Sequence, residues 1–225
     1  MLEEMTAGNL QKWRRLFYYW SFLLVFWGFY RFLFRLPEEI EEGIIKPLVW
    51  LGPVVAIVIL KEKGNIFSSL GWRKKNIFAS LRFGLWVGVF LAGEALLVNF
   101  FKNRHRLLFI GSPYETPALF WSAFALSAVT AFSEETAFRG FILKRALSLF
   151  PRAGLVNFWV SLSFTMIHLP AAFFVYHYPW DTAIIYFLLV FLMSLVAGYG
   201  FIKTRNTLTA FLVHLLWWWP LILFR

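Results

Sequence analysis

The chain contains no cysteine, which excludes thiol catalysis, disulfides and cysteine–zinc sites. Charge is scarce: 15% of the 225 residues are Asp, Glu, Lys or Arg, against about 25% in soluble domains. Acids are the scarcer sign, 12 against 22 Lys and Arg, leaving a formal net charge of +10. There is no polar linker, internal repeat or low-complexity tract. What fills the chain instead is apolar: 60% hydrophobic and 21% aromatic. Soluble domains run at about 45–50% apolar, and one soluble core cannot absorb the excess. The expected fold is all-α, a polytopic transmembrane bundle forming a single integral-membrane domain over residues 1–225.

Crossing the hydrocarbon core takes about 20 apolar residues. Candidate spans are Leu16–Phe34, Ile44–Leu60, Phe78–Phe101, Pro117–Ile142, Leu155–His168, Ala183–Ile202 and Leu208–Phe224. That gives about seven spans, or eight if Pro170–Tyr178 forms a crossing rather than a broken extension of its neighbour. The first run is too long for a signal-peptide core and lacks a small-residue cleavage site, so it is expected to remain as a span.

The excess of Lys and Arg sets the orientation. With the N terminus cytoplasmic, the inner segments hold Lys12, Arg14, Arg15, the Lys61–Lys75 cluster, Lys144, Arg145, Arg152, Lys203 and Arg205. The outer segments hold fewer: Arg31, Arg35, Lys46, Lys102, Arg104 and Arg106. Multi-pass insertion in a cell membrane follows, and the basic residues are expected to meet anionic membrane lipids rather than nucleic acid. The acidic run Glu38, Glu39, Glu41 and Glu42 reads as a solvated outer loop.

Ionisable groups at membrane depth are costly, and by default mark a functional site. Ser133-Glu134-Glu135-Thr136-Ala137-Phe138-Arg139 places two acids and an arginine after a stretch, Pro117–Phe132, that carries no charge. On a helix, residues four apart share a face while adjacent residues point about 100° apart. Glu135 is therefore expected to pair with Arg139, acid before base, the favoured order. Glu134 points elsewhere and lacks that partner. A desolvated carboxylate beside an imidazole can act as general base toward water. The bland alternative is that both acids only pair with arginines and lock helices together.

Two further apolar stretches each carry a histidine, His168 and His214. A lone histidine in an apolar helix is more often a packing residue, but an intramembrane acid pair in the same chain changes that weighting. His105 and His177 fall in expected loops and carry no assigned role. Glu94 is a further intramembrane acid that could support the site or pair with an arginine from another helix; the structural role is the favoured reading. At 1.5 Å per residue, Glu134 lies roughly 15 Å before Lys144, and His214 roughly 14 Å after Arg205. His168, roughly 24 Å beyond Arg152, looks too deep to join them. No His-Glu-x-x-His motif is present. The two acids and two histidines could still gather around one ion, but the reading here is metal-free and needs no cofactor. Ser133 has no Gly-x-Ser-x-Gly setting.

Three segments resemble a known pattern: Glu134-Glu135-Thr-Ala-Phe-Arg139, Phe164-Thr-Met-Ile-His168, and Thr207-Leu-Thr-Ala-Phe-Leu-Val-His214, the last preceded by Gly198-Tyr-Gly. Their order and placement in successive apolar runs resemble the CAAX protease and bacteriocin-processing (CPBP, or Abi) family of glutamic-type intramembrane endopeptidases. The resemblance covers about residues 117–219. It implies water-mediated hydrolysis of a peptide or lipidated-protein substrate. Glu134 would activate the water with His168, His214 would help stabilise the oxyanion, and Glu135 and Arg139 would shape the site. One position departs: where the family has Asn or Asp four residues after the last histidine, this chain has Trp218. Its single indole N–H, or a neighbour such as Asn206, would have to replace that donor. Two other classes remain in view. One is a non-proteolytic scaffold, partner-binding or immunity-like protein on the same fold. The other is a proton-coupled transporter, which would be expected to show paired repeats with broken helices.

Overall fold

The computed structural model describes residues 6–34, 36–102 and 116–223. Arg35, Arg104, His105 and Arg106 lie outside the described residues. All regular structure described is helical, as the physics of lipid requires, because a spanning segment must satisfy its own backbone N–H and C=O groups. The helices are α1 (Ala7–Leu33), α2 (Glu38–Glu62), the short α3 (Ile66–Ser69), α4 (Ile77–Lys102), α5 (117–149), α6 (Ala153–Val175), α7 (Trp180–Thr204) and α8 (Thr207–Leu223). Five contain windows long and apolar enough to cross a membrane: α1, α2, α4, α6 and α7. The exceptions are the four-residue α3, α5, interrupted by Glu134, Glu135 and Arg139, and α8, whose apolar stretch Thr207–Trp217 is shorter.

Helix ends follow local chemistry. Thr6, Asn65 and Thr116 each accept a backbone N–H from the first turn they cap, and Pro117 opens α5, where its missing N–H costs nothing. Arg205 closes α7 in the left-handed conformation, φ 55°. Asn206 Oδ1 then accepts from Leu208 N at 3.1 Å to start α8.

Two expected boundaries shift. Helix α1 begins at the Thr6 cap, well before Leu16, and α2 begins at Glu38 rather than Ile44. The second shift corrects the solvated-loop reading. Glu38 and Glu39 are exposed, but Glu41 is buried and Glu42 nearly so, because both have cationic partners within the bundle. Pro170–Tyr178 extends α6 by one wide turn, Ala171–Val175, and His177 lies in the following loop.

Helices α5 and α8 occupy the middle. Helix α8 packs most extensively on α4 and also meets α7 and α5; α5 also meets α2 and α6. Outward faces are apolar: Phe29, Phe32, Leu48, Trp86, Phe90, Trp121, Ile185 and Leu188 are all exposed. Monomeric soluble proteins rarely show contiguous apolar surface on that scale; lipid is the solvent that suits it.

Candidate active site

Helix α5 carries three of the site residues on its inner face. Glu134, Glu135 and Arg139 are 3%, 0% and 1% exposed. From Thr136 to Leu143 the helix opens into wide π turns, a feature found often beside functional sites. The local pairing is as expected from the sequence: Arg139 Nη1 donates to Glu135 Oε1 at 2.9 Å. Arg139 Nη2 donates to Ser194 O and Oγ on α7, at 2.8 and 2.6 Å. Its guanidinium also lies over the Phe164 ring of α6, 4.8 Å from the centroid.

The two histidines are brought to the same place. His214 Nδ1 donates to Glu135 Oε1 at 2.8 Å. His168 Nδ1 donates to the Phe164 carbonyl at 2.9 Å. Both rings therefore turn Nε2 inward, and each Nε2 lies 3.8 Å from Glu134 Oε2. That oxygen is buried and has no hydrogen-bond partner in the protein. With neutral imidazoles, three acceptors converge on one point. Such a point calls for a donor with more than one proton, which a water molecule supplies.

The depth discrepancy at His168 resolves on the helix ends. Helix α5 runs on past Lys144 to Leu149 before turning into α6 at Ala153. Glu134 and His168 thus lie the same 15 residues from Leu149 and Ala153, roughly 22 Å each. Lys144 was the wrong ruler.

Glu134 lacks Arg139 as a partner, as expected, but it has an ionic partner of its own. Lys46 of α2 forms an ion pair with Glu134 Oε1 and a second with Glu42 Oε2 at 2.6 Å. Glu42 is in turn paired with Arg31 of α1 and accepts from Thr130 Oγ1 at 3.0 Å. Arg31 also pairs with Glu41. Lys46, assigned above to an outer segment, is 5% exposed and sits inside the bundle. A signal was present: Glu42 and Lys46 repeat the acid-then-base spacing of Glu135 and Arg139.

A cavity of about 60 Å³ runs along this chain, lined among others by Glu38, Arg31, Glu42, Lys46, Glu134, His168 and His214. A single water needs about 10–15 Å³, so several fit. It reaches exposed Glu38, at the end of the bundle opposite Lys61–Lys75. Among the described residues, no group of three or more His, Asp or Glu side chains is placed to hold a metal ion. The Trp218 side chain lies outside the described residues. Asn206 is committed elsewhere, its Nδ2 donating to Arg73 O and Lys75 O at 2.7 and 3.2 Å. Glu94 is half-buried in α4, away from the cavity and without an ion-pair partner among the described residues.

Residues 116–219 match the family model described as type II CAAX prenyl endopeptidase Rce1-like. The match falls on the segment that carries the three motifs and agrees with the resemblance read from them; what it is similar to is a CAAX-type intramembrane endopeptidase. The Rce1-like segment contains Glu134, Glu135, Arg139, His168 and His214 but not Arg31, Glu42 or Lys46. No curated protein and no solved structure matched the chain.

Proposed function

We propose that the protein is a glutamic-type intramembrane endopeptidase that hydrolyses a peptide bond in a membrane-associated substrate, a C-terminal tail or leader. The reading rests on one observation: the unpartnered Glu134 Oε2 facing two inward-turned imidazole Nε2 atoms at 3.8 Å. A water held among them gives its proton to Glu134 as its oxygen bonds to the scissile carbonyl carbon, and the carbonyl π pair moves onto oxygen. His168 orients the water. His214, fixed by Glu135 through Nδ1, turns its Nε2 toward the same water. The proton then passes to the leaving nitrogen, the C–N bond breaks, and the products are a carboxylic acid and an amine, which exchange a proton to leave as carboxylate and ammonium. Arg139 holds Glu135 and three helices in register.

The buried Lys46–Glu134 pair favours a second reading, in which the acids only fasten helices and the protein binds a partner without cutting it. Cleavage of candidate tail peptides by purified protein in detergent separates the two, with wild type beside Glu134→Gln and a chelator control. Gln keeps the shape and the Oε1 acceptor but cannot take the proton. Loss of a general base typically costs about 10²–10⁴ in rate, so E134Q should be at least a hundredfold slower and the wild type should resist chelator. Equal cleavage by both proteins would sink the mechanism, and undiminished partner capture by E134Q without cleavage by wild type would favour the scaffold.

A further inference from the structure

We infer that Lys46, contributed by α2 from outside the family-matched segment, is the cation that stabilises the oxyanion in this protein. The inference rests on the endopeptidase reading above and extends it to a residue that reading does not use. The Lys46 ammonium bridges two carboxylates of unequal standing. Glu42 is fixed by Arg31 and Thr130. Glu134 is the group that changes charge during the reaction. Lys46 is thus anchored on one side and engaged on the other only while Glu134 remains ionised.

Charge bookkeeping along the cavity shows the consequence. In the ion-pair chain beside it, Arg31 and Lys46 supply two cations, and Glu41, Glu42 and Glu134 supply three carboxylates. When Glu134 accepts the proton from water, its negative charge disappears and reappears on the carbonyl oxygen beside it. The attraction holding Lys46 to Glu134 lapses as a new anion forms within the same few ångströms. A compact ammonium on a flexible four-carbon stem, with three donors, can follow that charge. The site is buried, where such an interaction is worth far more than in water. The ammonium also lies over the Trp50 ring, Nζ 5.4 Å from its centroid. The position that the resemblance reserves for an Asn or Asp donor holds Trp218, a different side chain. Asn206 is unavailable, being spent on Arg73 O and Lys75 O.

The test compares wild type, Lys46→Met and Lys46→Arg in the same cleavage assay, with E134Q as the inactive reference. Met keeps the length and removes the charge; Arg restores it. A cation engaged only with the transition state should appear in kcat and leave KM nearly unchanged. K46M should lose about 10²–10³ in kcat, the usual cost of an oxyanion donor, and K46R should regain at least tenfold of that. A phosphinate peptide, which carries a tetrahedral anion, should bind K46M at least about tenfold more weakly, while the uncleaved peptide binds both proteins alike. Wild-type kcat in K46M, or a loss confined to KM, would overturn the inference while leaving the Glu134 mechanism standing. If K46M fails to fold by size exclusion and melting, Lys46→Gln replaces it with the same expected split. If wild type itself cuts nothing and binds no phosphinate, the endopeptidase reading fails, and this inference with it.

Discussion

Arg139 joins three helices through one side chain: Glu135 on α5, the Phe164 ring on α6 and Ser194 on α7. Breaking a buried ion pair by removing one partner costs about 3–5 kcal/mol, because a charge is left uncompensated. Arg139→Leu should therefore lower the melting temperature in detergent sharply, and Arg139→Lys should fall between, retaining the charge but not the fork that reaches Ser194. Similar melting of wild type and R139L would argue that the pair is dispensable. The contrast between Arg139 and Lys46 shows what sequence can carry at this scale. Glu135 and Arg139 lie four residues apart on one helix, so their contact is dictated by helical geometry. Lys46 and Glu134 lie 88 residues apart on different helices, and no local rule links them.

At the scale of elements, close approach explains residues that carry no chemistry. The loop after α3 runs directly against the π turns of α5. A Cβ on Gly140 would meet the Leu70 carbonyl oxygen at 2.3 Å, and backbone cannot yield as a side chain can. Overpacking of this kind costs about 1–3 kcal/mol, so Gly140→Ala should melt measurably lower. Gly154→Ala is the control: nothing lies within 4 Å of its Cβ position, and alanine is the better helix former. If both variants melted alike, the contact at Gly140 would have no energetic weight. The same loop sends Trp72 onto Phe132, with ring centroids 5.0 Å apart, and its indole donates to Thr136 Oγ1 at 3.0 Å. It thus braces the helix on both sides of the acid pair. The wide turns and this loop contact escaped the periodicity of the sequence, since a π turn shifts phase without changing composition.

Across the whole molecule, the polar cavity reaches exposed Glu38 while the basic cluster lies at the other end of the bundle. The orientation expected from the Lys and Arg excess then places the mouth on the non-cytoplasmic side. The absence of cysteine makes this directly testable, because any introduced thiol is unique. Glu39→Cys and Lys74→Cys replace exposed residues at opposite ends. In intact cells an impermeant maleimide should label E39C and leave K74C unlabelled until the membrane is opened. The reverse pattern would turn the molecule over and give the cavity to the cytoplasm.

Composition and run length alone determined that this chain is a helical membrane protein, because hydrocarbon leaves a lipid-spanning backbone few other ways to satisfy its polar groups. Motif order determined which three apolar runs carry the acids and imidazoles, since helical spacing fixes what shares a face. Only the tertiary structure decided that Glu134 is never alone. Lys46 reaches it from α2 and is held in turn by Glu42 and, through Glu42, by Arg31 of α1, charges that look like ordinary loop charges until folding buries them. Burial in a low-dielectric interior compels each charge to find an opposite one, and which one it finds depends on the packing of helices far apart in sequence.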